Sequence, residues 1–349
     1  MKFKKLSLIL TIILGINITG CSNTSEQVED SNINNEVTTN TTTNNEQYPI
    51  TIKHAFGETI IEEKPEHIAT ISWGNQDVPL ALGIVPVGVS KANYGVVDKT
   101  GLLPWTSEKF RELGKENPNI FDDTDGLDFE AISSSKPDVI LASYSGITKE
   151  DYDLLSKIAP VIAYPKLPWQ TKWREQIILN STAMGMEEEG KKLVSDLENI
   201  IREEISKYQQ IEGKNAAFFY FNPSDLGKFY IYLPEDPRAD YLLDLGFSLP
   251  ESVINLSKDA DTFALELSSE NVEVLSDIDV IVCYGDENLL KSLQEDKLIG
   301  TIPAIKRGSV ALIEDGTPLA ASSTPSALSI PYTIKEYVKI ISEAVDKIQ

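Results

Sequence analysis

The sequence predicts an α/β protein of two lobes, each with a mostly parallel sheet, joined by one long linking helix. Short β-branched segments alternate with helical segments on both sides of the middle of the chain, which is the pattern of βαβ units. Between these two regions, residues 171–210 have a helical pattern with a candidate break at Gly185. At 1.5 Å per residue, even the part after the break would reach about 30 Å, enough to cross a lobe.

The first 20 residues predict a secretory signal peptide. Residues 1–5 carry three lysines, residues 6–18 are almost wholly apolar, and small residues precede Cys21. The apolar run is shorter than the ~20 residues that a membrane-spanning helix needs. The run ITGC at 18–21 resembles the lipobox of bacterial lipoproteins, in which the cysteine is lipidated and becomes the new N-terminus. An ordinary signal peptide with a chance cysteine is the alternative.

Residues 21–47 predict a lipid-anchored, disordered tether. They are mostly Ser, Thr, Asn, Glu and Asp, and so few apolar side chains cannot compensate the entropy lost on folding. We expect an N-terminal lobe at 48–170, the linking helix at 171–210 and a C-terminal lobe at 211–349. The protein is then a monomer held by its lipid on the extracytoplasmic face of the cell membrane.

Each predicted lobe repeats the strand and helix alternation. The N-terminal lobe has, in order, strand 67–72, helix 75–83, strand 85–90, a loop-rich region 91–125, a helix and strand within 128–144, helix 148–159 and strand 160–165. The C-terminal lobe has strands 215–221 and 228–233, helices 240–246 and 268–277, strand 278–284, helix 287–296, strand 309–313 and a last helix from about residue 326.

The two lobes also resemble each other in detail. The run FEAISSSKPDVILASY (129–144) and the run SENVEVLSDIDVIVCY (269–284) both carry an acid near a helix start and a tyrosine at a strand end. Ligands of open α/β sheets bind beyond the carboxyl ends of the strands. Two such lobes would face each other across a ligand cleft, with Tyr144 and Tyr284 as candidates to lie near it.

Composition excludes several classes of function. The formal charge of −23 argues against nucleic acid and against docking on an anionic membrane surface. The two histidines, His54 and His67, share one predicted hairpin, so a metal site or a hydrolase triad is hard to build. No G-x-S-x-G motif or Gly-rich phosphate loop is present. Once Cys21 is lipidated, Cys283 remains alone in an apolar run, where we expect a buried thiol and no disulfide.

Several segments in this order resemble the iron–siderophore substrate-binding lipoproteins of ABC importers. They are HAFGETIIEEKPEHIATI, LALGIVPVGVS, DFEAISSSKPDVILASYSG, LSKIAPVIAY, PWQTKWREQ and DPRADYLLDLGF, and the likeness extends from about residue 48 to the C-terminus. The resemblance implies capture of a ferric siderophore and delivery to the subunits of an ABC permease, and within the group it is nearest to the branch that handles hydroxamate-type siderophores. It implies no enzymatic activity, no cofactor and no metal-ligating side chains, because the siderophore supplies its own oxygen ligands.

A siderophore cleft needs aromatic faces and a few cationic or hydroxyl donors. The candidate ligand-binding residues are Trp73, Tyr94, Trp105, Tyr144, Trp169, Arg174, Tyr220, Tyr232 and Arg238. For the aromatic residues the alternative is burial in the core, and for the arginines it is a structural ion pair. The resemblance further implies that Glu130 and Glu270, one acid per lobe, dock on permease arginines; compensation of a helix dipole is the alternative.

Two other kinds of function stay open. Another large chelate, cobalamin or haem, would suit a similar cleft, although haem usually takes an axial His, Met or Tyr. An extracytoplasmic lipoprotein enzyme could also use an α/β scaffold, since a fold does not fix a function. Such an enzyme needs a convergent acid, base or nucleophile. The serines of the predicted loops have no evident histidine partner.

Overall fold

The computed structural model describes residues 48–258 and 260–348. The predicted signal peptide, Cys21 and the tether lie outside these residues. Within the described part of the chain, no helix is both long and apolar enough to cross a lipid bilayer. The described residues contain two five-stranded sheets surrounded by helices, which confirms the predicted two-lobed α/β class.

The N-lobe is a parallel sheet preceded by an antiparallel hairpin. The hairpin strands are β1 (Ile50–His54) and β2 (Gly57–Ile61). The sheet strands are β3 (Ile68–Thr70), β4 (Gly88–Ser90), β5 (Ile120–Phe121), β6 (Val139–Leu141) and β7 (Val161–Ile162), in the order β5-β4-β3-β6-β7. The helices are α1 (Asp77–Ala81), α2 (Pro104–Glu112), α3 (Phe129–Ser134) and α4 (Lys149–Leu155).

Two of these elements lie in the region that the sequence pattern predicts to be loop-rich. Helix α2 and strand β5 both fall within residues 91–125. Pro104 occupies the first turn of α2, where its fixed φ and missing N–H suit a helix start. The glycines and prolines around this short helix obscure its pattern, and this explains why the sequence did not predict it.

Two helices, rather than one, link the lobes. Helix α5 (Trp173–Ala183) ends at the predicted break, where Gly185 has φ +67°, and α6 (Glu187–Ile205) begins after it. With 19 residues, α6 is about 28 Å long. The two helices pack closely against each other, because a Cβ on Gly190 would lie only 1.9 Å from Ser181 Oγ. The linking region is therefore a helical hairpin.

The C-lobe has a mixed sheet. Its strands are β8 (Ala216–Asn222), β9 (Asp225–Tyr232), β10 (Ala264–Ser268), β11 (Val280–Tyr284) and β12 (Val310–Ile313), in the order β10-β9-β8-β11-β12. Strand β11 pairs parallel with β8 and β12, whereas β9 pairs antiparallel with β8 and β10. The helices are α7 (Pro237–Asp244), α8 (Glu251–Ser257), α9 (Glu287–Glu295), α10 (Pro303–Arg307), α11 (Pro318–Ala321) and α12 (Ser329–Val345).

One predicted helix of the C-lobe differs from expectation. The segment predicted as helix at 268–277 is a 3₁₀ turn, Ser269–Leu275, with non-helical backbone angles at Asn271. Further 3₁₀ turns are Gln209–Ile211 and Ile299–Thr301.

The largest buried cluster is shared between the lobes. It contains C-lobe side chains from β8, β11, β12 and α12, and also Val78 of α1 and Trp173 and Ile177 of α5. Helix α6 contributes Leu197 and Ile201 to the same cluster. The lobes are thus packed on one continuous core beneath the cleft that separates them.

Candidate ligand-binding cleft

The wall of the cleft on the C-lobe side encloses a cavity of about 440 Å³. It forms where β9 and β11 end and where the segment after β12 begins. Its lining is rich in phenol groups and holds one guanidinium. The lining residues are Trp73, Tyr94, Tyr220, Tyr232, Arg238, Tyr284, Asp315, Ala320, Ala321 and Thr324.

Arg238 is fixed in this wall by Asp236, the N-cap of α7. Its Nε and Nη2 donate to the two carboxylate oxygens of Asp236 at 2.8 and 2.7 Å. Its guanidinium also lies over the ring of Tyr232, 4.0 Å from the ring centroid. Burial lowers the pKa of Arg238, but Asp236 outweighs burial and raises this pKa above its ordinary value. The wall therefore presents a charged guanidinium whose position is set before any ligand arrives.

The phenols around Arg238 are held as hydrogen-bond donors. Burial raises the pKa of Tyr232 to about 12 and also raises the pKa of Tyr284. The rings of both pack edge-on against Phe218, with centroids 5.4 and 5.1 Å away. Protonated phenols beside a fixed guanidinium suit a ligand whose surface carries oxygen acceptors.

The wall on the N-lobe side encloses a second cavity, of about 470 Å³. It lies at the carboxyl ends of β3, β4 and β6, where open sheets bind ligands. Trp73 lines both cavities, and Trp169 lines this one. Their neighbours here are mostly small or polar, among them Ser90, Lys91 and Asp123.

Trp169 is held in an unusual backbone conformation. Its φ is +61°, a left-handed value that is rare for a bulky residue, and its N–H donates to the carbonyl of Ser145 at 3.1 Å. The indole lies across Gly146, because an added Cβ there would be 2.3 Å from Trp169 Nε1. Its ring also packs edge-on against Tyr144, at 5.4 Å between centroids. A glycine is therefore required at 146 for this indole to face the cavity.

A model of the Periplasmic binding protein family matches residues 68–316, which include the N-lobe cavity and most of the lining of the C-lobe cavity. The chain belongs to this family. The match begins at β3 and runs through the linking helices to the segment after β12, so it covers both lobes.

Solved structures and curated relatives agree with the family. PiaA of Streptococcus pneumoniae TIGR4 in complex with ferrichrome is 55% identical, with a TM-score of 0.83, covering 86% of this chain and all of that one. The iron-uptake system-binding protein of Bacillus subtilis is 28% identical over 60% of this chain, and the match spans 62% of that relative. The petrobactin-binding protein YclQ of the same organism is 23% identical over 90% of this chain and 92% of its own length.

In this binding protein, most of the predicted contact residues come together at the cleft. Six of them line the two cavities: Trp73, Tyr94, Trp169, Tyr220, Tyr232 and Arg238. Tyr144 is only 5% exposed and lies behind Trp169 as part of the same wall. Their contact with a ligand stays a prediction.

Trp105 and Arg174 line neither of the two cavities. Trp105 is 4% exposed, and its indole N–H donates to Asp77, also of the N-lobe, at 3.0 Å. Arg174 pairs with Glu198 at 2.7 Å and with Asp244 at 2.9 Å, on the side of the molecule formed by α6 and α7. Both side chains are occupied by structural partners, which is the alternative that the sequence left open.

Other residues of the cleft were missed as site residues. Asp236 holds Arg238, Thr324 lines the C-lobe cavity, and Asp123 lines the N-lobe cavity. Asp236 had a local signal, since Asp-Pro at 236–237 is typical of an N-cap followed by a first-turn proline. Thr324 and Asp123 lie in loops with no comparable signal.

Glu130 and Glu270 have similar positions in the two lobes. Glu130 lies in the first turn of α3 after the N-cap Asp128, and Glu270 lies in the first turn of the 3₁₀ segment after Ser268. Both are exposed, and neither forms an ion pair within residues 48–258 and 260–348. Among these described residues, no cluster of three or more His, Cys, Asp or Glu side chains could hold a metal ion.

Proposed function

We propose that this binding protein captures a ferric siderophore outside the cytoplasmic membrane and delivers it to an ABC permease for iron uptake. The observation that carries the proposal is the C-lobe wall, where a fixed guanidinium and protonated phenols face a cavity that is also lined by the indole of Trp73. This wall can donate to chelate oxygens, while the indoles cover the organic periphery of the ligand. The iron keeps the oxygen ligands of its own chelator throughout.

The charge of this wall favours chelates of low net charge. The positive charge of Arg238 is balanced by Asp236, which is fully buried beneath it. Lys91, in the N-lobe wall, is likewise paired with Asp122 at 3.0 Å. A ferric trihydroxamate is neutral, whereas a ferric tricatecholate carries three negative charges and would need unpaired cations. The similarity to a protein crystallised with ferrichrome supports the hydroxamate class.

Delivery would use the two exposed carboxylates that the lobes present. Glu130 and Glu270 are free of described ion pairs and stand at matching positions, so arginines of a permease can approach both. The lipid anchor on Cys21, and with it the place of the protein at the cell membrane, belongs to this proposal as well. Mass spectrometry that detects a lipid on Cys21 would test that part of the proposal directly.

A fluorescence titration tests the ligand class. Only four tryptophans are present, and Trp73 and Trp169 face the cavities while Trp105 and Trp173 are buried. The purified full chain, in detergent, is titrated with a ferric trihydroxamate, a ferric tricatecholate, the two iron-free chelators, haem and cobalamin. We expect saturable quenching by the ferric trihydroxamate.

Two variants place the quenching at the cleft. The double variant Trp73→Phe, Trp169→Phe should lose it, whereas Trp173→Phe, a matched change of a buried indole outside both cavities, should keep it. Quenching by haem or cobalamin alone would replace the proposed ligand with a different chelate. Quenching that persists in the double variant would show that the ligand binds away from these walls.

A further inference from the structure

The lobes touch at a second place besides the linking helices. In this lobe junction, Leu103 and Trp105 of the N-lobe pack with Ala321 of the C-lobe. Gly95 lies so close to the C-lobe that an added Cβ would be 2.6 Å from the Cβ of Ala321. The ring of Trp105 also packs against Tyr332 of α12, at 5.8 Å between centroids. Any widening of the cleft must pull these surfaces apart.

A buried carboxylate, Asp77, lies at the centre of the junction. It is the first residue of α1 and is 1% exposed. Within the N-lobe it accepts hydrogen bonds from Trp105 Nε1 at 3.0 Å, from Thr106 Oγ1 at 2.9 Å and from Gln76 Nε2 at 3.1 Å. From the C-lobe it accepts one from Ser326 Oγ at 2.5 Å. Asp77 thus joins the two lobes directly.

No cation balances this carboxylate within the described residues. Its hydrogen-bond partners are an indole, two hydroxyls and an amide, all neutral. The charged residues of the elements packed on α1 are engaged elsewhere or exposed. The charged residues of α2 are Glu108, Lys109, Arg111 and Glu112, and those of α5 are Arg174 and Glu175. On α12, Lys335 and Glu336 are exposed, and Lys339 pairs with Glu343 at 3.9 Å.

Asp77 is also close in sequence to Trp73, which lines both cavities. It lies four residues after Trp73, whose carbonyl is held by Gln176 Nε2 at 3.1 Å. A movement of α1 relative to Ser326 therefore changes the distance between Trp73 and the opposite wall around Arg238.

We propose that Asp77 is a positioning residue of the cleft, whose ionisation sets how readily the two lobes separate at the junction. Its protonated form favours the joined lobes, and its ionised form favours their separation, because separation lets water solvate the charge. The proposal rests on the proposed function only where a bound ligand is used as the readout.

The direction of the pH effect follows from linkage. Burial raises the pKa of Asp77 from 3.8 to about 6, against the opposing effect of its four hydrogen bonds. If separation restores an ordinary pKa, the joined state holds the proton more tightly. Its extra stability is then complete below pH 3.8 and is lost as the pH rises through about 6. The population of separated lobes should rise about tenfold between pH 5 and pH 7.

The indole N–H of Trp105 provides a local probe. It donates directly to Asp77, and only four indole signals are expected in a ¹H–¹⁵N spectrum of the full chain in detergent. The signal is assigned with Trp105→Phe and followed from pH 4.5 to pH 7.5. We expect a midpoint near pH 6, which shifts upward in Ser326→Ala because that variant loses a bond to the ionised form.

A distance measurement reports on the lobes without any ligand. Spin labels at Glu150→Cys and Lys291→Cys, in a Cys21→Ser background, place one probe on an exposed helix of each lobe, and the native Cys283 is fully buried. We expect the separated population to grow from pH 5 to pH 7 in the wild type and to be constant in Asp77→Asn. Glu204→Gln is the matched control, since Glu204 is a buried carboxylate outside the junction, and it should respond like the wild type.

The outcomes separate this inference from the proposed function. Because Asp123, Glu175 and Asp240 also have pKa values raised by burial, a response that survives in Asp77→Asn would overturn the assignment. An indole signal that does not titrate, or distances that do not change with pH, would overturn it too. If both readouts respond and no ferric chelate binds, the proposed function fails and the role of Asp77 stands. If a ferric trihydroxamate binds, its dissociation should quicken about tenfold over the same range.

Discussion

The two walls of the cleft are built in different ways. The C-lobe wall takes its donors from strand ends and from the start of α7, where Asp236 fixes Arg238 through two hydrogen bonds. The N-lobe wall takes its indoles from loops, and the backbone at Ser72 and Trp169 has φ of +64° and +61°. The comparison indicates that the two walls have different roles. One wall supplies charge at a fixed position, and the other supplies apolar area at the expense of backbone strain.

The largest expected loss of affinity follows from removing the fixed charge of Arg238. Arg238→Ala removes the charged donor and should weaken binding of the ferric trihydroxamate by about tenfold to a hundredfold. It also leaves Asp236 buried without its partner, so we expect a lower midpoint of denaturant unfolding as well. Titration calorimetry and urea unfolding measure the two effects.

A control for this variant lies on α6. Arg202 is exposed outside the cleft and bonds only to Asn199 among the described residues, so Arg202→Ala should leave the affinity unchanged. Equal losses in both variants would mean that the overall charge of the protein, and not the C-lobe wall, governs binding.

A smaller effect is expected at the strained wall. Trp169→Ala and Trp169→Gly both remove the indole and should weaken binding by about fivefold to tenfold. The two should differ in stability, because alanine keeps the cost of a left-handed φ and glycine does not. Thermal unfolding should show the glycine variant to be more stable by about 1 kcal/mol. If the alanine variant were as stable as the glycine variant, the backbone at residue 169 would not be strained, and the two walls would not differ in this respect.

The smallest effect is expected at the rim. Tyr220 lines the C-lobe cavity but is 38% exposed, so Tyr220→Phe should change the affinity by about threefold or less. Tyr230 is its neighbour outside the cavity, and Tyr230→Phe should have no effect on the ligand. A loss at Tyr220 as large as that at Arg238 would show that the rim, too, holds a strong donor.

Much of the fold was accessible from the sequence because it depends on local pattern. The alternation of strands and helices, and the break at Gly185, are local signals and were predicted. Helix α2 was missed because its few turns sit among glycines and prolines. The segment Ser269–Leu275 has the periodicity of an α-helix but forms a 3₁₀ helix.

The site was accessible only in part, for a different reason. Residues at or just after strand ends, such as Tyr232 and Trp73, could be placed near a cleft from the rule for open sheets. Trp105 and Arg174 could not be assigned, since their roles depend on distant partners. The indole of Trp105 meets Asp77, 28 residues away, and Arg174 meets Asp244, 70 residues away. Sequence spacing carries no information on such pairs.

The packing of Tyr48 has a practical consequence for handling the protein. This first described residue lies against the turn at Gly185, in the buried cluster that includes Ile68 and Val139, the first residues of β3 and β6. These are the amino ends of the strands, whereas the cleft lies at their carboxyl ends. A sensor chip or affinity bead coupled at residue 48 would therefore hold the protein at the amino ends of its strands. The opening of the cleft, at the carboxyl ends, would stay accessible to solution.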